Sequence, residues 1–130
     1  MDRRSFVKNA AAASAVAATP LMEQETKFQF VHHVFFWLKN PDNKAEHDQL
    51  LQALRDLRKI PVIRHAHIGK PVVTEFDKAV TEGSYSFSVM LVFDSAKDEE
   101  AYLVHPLHKE FGKKNNHLWK KVVVYDSSLI

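Results

Sequence analysis

Hydrophobic and polar positions change period several times along this chain, and each change marks an element. Phe28 to Leu38 carries aromatic and β-branched side chains almost without interruption and ends at Asn40-Pro41-Asp42, which reads as a strand running into a turn. Strand alternation sets His33, Phe35 and Trp37 on one face and Val34, Phe36 and Leu38 on the other. Neither face is polar, so both are expected to be covered, one by helices and one by a partner surface. The period then lengthens. Leu50, Leu51, Leu54 and Leu57 follow at helical spacing, with Asn43 and Glu46 placed as a capping box and Ile60-Pro61 as the stop.

Val62 to Ile68 alternates again and closes at Gly69-Lys70-Pro71, a second strand. Residues 71–83 are polar and read as an exposed connection. Tyr85 to Phe93 is a third strand, with Tyr85, Phe87, Val89, Leu91 and Phe93 on one face. Ser95 and Asp98 form a second capping pattern that opens a helix through Ala101, Tyr102 and Leu103. That helix is interrupted at His105-Pro106, resumes from Leu107 to about Leu118, and is followed by a last strand from Lys121 to Asp126. The order β-α-β-β-α-β is the ferredoxin-like plan: an α+β domain whose four-stranded antiparallel sheet carries helices on one face only. The other face would expose a sizeable apolar patch, so a second copy packed sheet to sheet is expected, making a homodimer.

Composition narrows the class. The 130 residues suffice for one domain, expected over residues 27–130. Residues 1–22 read as a cleavable leader and short spacer. Arg3-Arg4 is followed by Ser5, Phe6, Val7 and Lys8, then an uncharged run from Ala10 to Ala18, and Ala15-Val16-Ala17 supplies a small-x-small cleavage pattern. This resembles a twin-arginine signal and predicts an exported, periplasmic or extracellular protein. Without the leader the body holds fifteen basic and fifteen acidic residues. A neutral body with no dense basic patch argues against nucleic acid as a partner. No run approaches the ~20 apolar residues of a membrane span, and the absence of cysteine removes disulfides and thiolate chemistry.

The candidate chemistry lies around the broken helix. Tyr102 and His108 are six residues apart, which on a straight helix is about 600° of rotation, or 240° after a full turn. The break at His105-Pro106 allows both to turn toward one pocket. A neutral His108 would then take a proton near physiological pH, and Tyr102 would donate to a carbonyl oxygen as charge develops there. His33, placed on the helix-facing side of the first strand, would orient either partner or the substrate. Phe35, Trp37, Phe87 and Leu103 would make the pocket apolar and suited to a small hydrophobic or aromatic ligand. Each residue has a plainer reading: His33 as a buried histidine bonded to backbone, His105 as a helix-break residue, His108 as a helix-end residue and Tyr102 as core. A metal held by His33, His105, His108 and His117 lacks a carboxylate at a familiar ligand spacing, so no metal and no other cofactor is expected.

Several of these segments together resemble the stress-responsive dimeric α/β-barrel (Dabb) family. They are His33-Val34-Phe35-Phe36-Trp37-Leu38-Lys39, Ile60-Pro61, Phe93-Asp94-Ser95, and the run from Tyr102 to Phe111 containing His105-Pro106-Leu107-His108. The resemblance covers roughly residues 30–127 and implies a ferredoxin-like protomer that dimerises through its sheet into an α/β barrel. One relative, the plant polyketide cyclase that makes olivetolic acid, is similar in the last segment. There a tyrosine and the second histidine of the motif are catalytic in an aldol cyclisation with loss of a thioester, and they match Tyr102 and His108. Where that cyclase has a histidine on its third strand this sequence has Phe87, which leaves the identity of the substrate open. Two functions stay open: a ligand-binding or cofactor-independent enzyme domain, cyclase-, lyase- or monooxygenase-like, and a non-catalytic stress-linked structural or assembly module. An open cavity lined by Tyr102, His108 and His33 would favour the first, and a filled interior the second.

Overall fold

A computed structural model describes residues 28–130; the export leader expected over residues 1–22 lies outside the described residues. The elements are β1 (Phe30–Leu38), α1 (Lys44–Asp56) with a 3₁₀ turn (Leu57–Lys59), β2 (His65–Gly69), β3 (Phe87–Phe93), α2 (Ala96–Leu103), α3 (Pro106–Asn115) with a 3₁₀ turn (Asn116–Leu118), and β4 (Trp119–Ser128). The sheet order is β2-β3-β1-β4 and every pairing is antiparallel. This is the ferredoxin-like arrangement, with β1 in the middle and β4 at one edge.

Local chemistry explains where the helices begin. Asn43 Oδ1 accepts from the Glu46 amide at 3.0 Å, and Ser95 Oγ accepts from the Asp98 amide at 3.1 Å. The return half of the first capping box is rerouted, because the Glu46 carboxylate accepts from Asn40 Nδ2 instead. Leu57 closes α1, and Ile60 is extended as a residue before proline must be.

Alternation along β1 proved real, but its two faces exchange the roles expected of them. His32, Val34, Phe36 and Leu38 are the buried set, facing the helices, while Val31, His33, Phe35 and Trp37 point to the open side. On β3 the matching set is Phe87, Val89, Leu91 and Phe93, all buried. Leu50, Leu54 and Leu57 of α1 and its 3₁₀ turn, with Ile60 and Tyr102, close over that side to make the core. Tyr85 departs from the predicted row: it precedes β3 and packs its ring on Phe35 and Trp37, on the open side. Among the described residues no helix is long and apolar enough to cross a membrane.

The open face carries an aromatic group of Phe35, Trp37, Tyr85 and Tyr125, with ring centroids 4.9 to 6.5 Å apart for each contacting pair. Tyr125 keeps 65% of its surface exposed.

Leu50 is fully buried under the sheet. Leu50→Ala should cost about 3 kcal/mol of unfolding free energy, the transfer and cavity terms together, measured by urea denaturation.

Candidate active site

The site depends on the way α2 ends. Tyr102 lies on the buried side of α2, 3% exposed, one residue before the helix stops at Leu103. Pro106 occupies the first turn of α3, and the His105 ring caps that turn, its Nδ1 accepting from the Leu107 amide at 3.1 Å. The amides of His108 and Lys109 both reach the His105 carbonyl, so α3 starts a turn of its own instead of continuing α2. In consequence residues six apart meet. The rings of Tyr102 and His108 lie edge to face with centroids 4.7 Å apart.

Both residues line a cavity of about 230 Å³ between the sheet and the helices. His32 lies in the same wall, with its ring 5.9 Å from that of Tyr102. The rest of the lining is apolar, and Leu103, Val122 and Val124 at its edge are 38 to 47% exposed. A larger groove of about 520 Å³ runs between α1 and α3, but Gln52, Asp56, Lys59, Glu110 and Lys114 rim it and no histidine or tyrosine lines it. His32, Tyr102 and His108 all line the smaller cavity.

Burial decides the charge states here. Desolvation, then the nearby His32, lower the His108 pKa from its ordinary 6.5, while backbone hydrogen bonding at Leu103 partly opposes them. Desolvation, then the Glu99 charge, raise the Tyr102 pKa well above the ordinary phenol value. The pair is therefore a neutral imidazole against a protonated phenol, an acceptor beside a donor. His32 Nδ1 lies 2.7 Å from Asp126 Oδ1 and 3.8 Å from Glu99 Oε2. Burial first, and the Asp126 charge second, raise the Glu99 pKa.

Of the residues picked out by sequence, Tyr102, His108 and Leu103 share the cavity. His33 does not. It lies on the opposite face of the sheet, bonded through Nε2 to Ser88 Oγ at 2.8 Å and stacked on Phe35. Phe35 and Trp37 go with it, because residues two apart on a strand share a face. Trp37 donates through Nε1 to Ser84 Oγ and lies under the Lys121 ammonium. Phe87 is on the helix side, but its ring packs against His47 of α1, away from the cavity lining. The polar residue that takes the expected place of His33 is its neighbour His32. The alternation of β3 held the signal: Phe87, Val89, Leu91 and Phe93 outweigh Ser88, Met90 and Val92 in apolar bulk. Antiparallel pairing then puts Val34 opposite Val89, and His32 shares that face.

The profile of the Stress Responsive A/B Barrel Domain family matches residues 30–129. The chain belongs to that family. It is similar to an olivetolic acid cyclase from Cannabis sativa, 26% identical over 96 residues, which are 73% of this chain and 91% of that protein. A hydroxynitrile lyase from Passiflora edulis superposes with a TM-score of 0.64 at 21% identity, covering 79% of this chain and 95% of that one. A dimeric protein of unknown function with a ferredoxin-like fold from Bacteroides fragilis superposes with a TM-score of 0.60 at 21% identity, covering 78% and 96%. The two structural likenesses establish the fold.

The lowered His108 pKa has a defined sign. The folded protein holds a proton on His108 less readily than the unfolded chain does. This group's contribution is therefore complete above 6.5 and is lost as pH falls through the lower folded value. In an NMR pH titration the His108 ring should titrate below 6.5; a midpoint at or above 6.5 would show that the ring is solvated.

Proposed function

We propose that this protein binds a small aromatic or otherwise apolar carbonyl compound in the cavity between sheet and helices, and that His108 and Tyr102 act on it as base and acid. The observation that carries this reading is the edge-to-face meeting of the two rings, 4.7 Å between centroids, in the wall of a largely apolar cavity. A neutral imidazole there accepts a proton from a carbon next to a carbonyl or from a hydroxyl. The phenol donates to the oxygen on which negative charge develops, in surroundings where few waters compete. The reaction class is proton abstraction followed by bond making or breaking at the activated carbon, without a redox step.

Size limits the ligand. About 230 Å³ is below the ~300–1,000 Å³ of sites for drug-sized molecules, so a single substituted ring fits and a longer tail would leave past Leu103, Val122 and Val124. Two of the similar proteins are named for ring closure and for hydroxynitrile lysis, which supports this class by analogy.

The same reading makes the working unit a homodimer. A second copy would cover Phe35, Trp37, Tyr85 and Tyr125, and the similar protein from Bacteroides fragilis is described as dimeric. The Arg3-Arg4 pair and the uncharged run from Ala10 to Ala18 support export through a twin-arginine route.

Native mass spectrometry of the protein isolated without denaturation should reveal a small apolar adduct. With that compound as substrate, His108→Gln should lower kcat/KM by about 10² to 10⁴ with the melting temperature nearly unchanged. Tyr102→Phe should lower kcat more than it raises KM. Full turnover by His108→Gln would exclude it as the base.

A further inference from the structure

Next to the Tyr102–His108 pair, three metal-ligating side chains from three separate elements converge. His32 comes from β1, Glu99 from α2 and Asp126 from β4, and one donor atom of each lies within 4.8 Å of the other two. The register causes this. His32 and Asp126 are cross-strand partners, and Glu99 lies one turn before Tyr102 on the buried side of α2.

Glu99 is 9% exposed and His32 5%, while the Asp126 side chain keeps 39% of its surface in solvent. Among the described residues, the only ion-pair partner of either carboxylate is His32. Three ligand-type donors from three elements thus converge, with the imidazole and one carboxyl withdrawn from water and the second carboxylate open to it.

We propose that His32, Glu99 and Asp126 bind a divalent transition-metal ion of the zinc, manganese or iron(II) class. One nitrogen and two carboxylates with no thiolate suit these ions. Calcium would need six to eight oxygen donors. Three protein ligands leave coordination positions open, and His32 also lines the cavity. Ligand bonds of ~2.0–2.2 Å hold neighbouring donors about 3.3 Å apart around a four-coordinate ion. The 2.7 Å contact between His32 and Asp126 therefore opens by roughly half an ångström on binding. The proton on His32 Nδ1 moves to Nε2 as the ion takes its place, and any proton held between the two carboxyls leaves to solvent.

An ion here would supply an electrophile to the ligand carbonyl, which deepens the acid–base reading given above. Its binding, however, needs neither Tyr102 nor His108, so the two are tested separately. The test uses full-length protein stripped with chelator, then titrated with zinc chloride by calorimetry and with cobalt(II) chloride by visible absorption. One ion per chain is expected. Binding should weaken at least tenfold, the scale seen for loss of supporting groups at metal sites, in Glu99→Gln and in Asp126→Asn, with circular dichroism unchanged. His108→Gln should bind as the unmodified protein does. Absence of saturable binding, or Glu99→Gln binding as tightly as the unmodified protein, would overturn the proposal and leave a shared proton as what balances the carboxyl pair.

Discussion

A β-strand shows alternate side chains to alternate faces, and here that constraint acts on a central strand covered by helices on one side only. β1 pairs with β3 on one side and β4 on the other, so whatever faces the helices from β1 lies in the middle of the core. Adjacent histidines must part under this rule. His32 goes beneath the helices beside Tyr102 and Asp126, and His33 goes to the open face against Ser88. A one-residue slip of β1 would exchange them, and would carry Phe35 and Trp37 under the helices in place of Val34 and Phe36. The polar chemistry of the interior and the aromatic surface of the exterior thus follow from one register.

The second requirement is a helix that stops early. Were α2 continuous, Tyr102 and His108 would point in directions about 120° apart. His105 and Pro106 prevent this by ending one helix and capping the next. His105 therefore has a structural task that serves the site at one remove, because it sets where His108 begins its turn. Burial supplies the remaining ingredient. Desolvation lowers the affinity of His108 for a proton and raises that of Tyr102, which leaves an acceptor facing a donor at neutral pH.

Much of this was legible in the chain. Each strand and helix appears at the place its period indicates, with ends shifted by a few residues: β2 starts at His65 instead of Val62, and β4 runs from Trp119 to Ser128 instead of Lys121 to Asp126. The Tyr102–His108 meeting was foreseeable from the proline break and from the family resemblance. The face of β1 was not legible from β1 itself, because Val34-Phe36-Leu38 and Phe35-Trp37 are equally apolar; only the bulkier row of β3, paired with Val34 and Phe36, labels the inside. The Glu99–His32–Asp126 cluster was hidden for a different reason. Its members are 67 and 27 residues apart in the chain, so no local spacing reveals a group that only the pairing of β1 with β4 and the packing of α2 assemble.

On the proposed reading the two faces of the sheet divide the labour, ligand under the helices and partner on the open side. Chemical-shift mapping with a short-chain alkylphenol as probe tests it most directly. Shifts should concentrate at Tyr102, Leu103, His108, Val122 and Val124 and leave His33, Phe35 and Trp37 unmoved. Saturable shifts centred on Phe35, Trp37 and Tyr125 would contradict it.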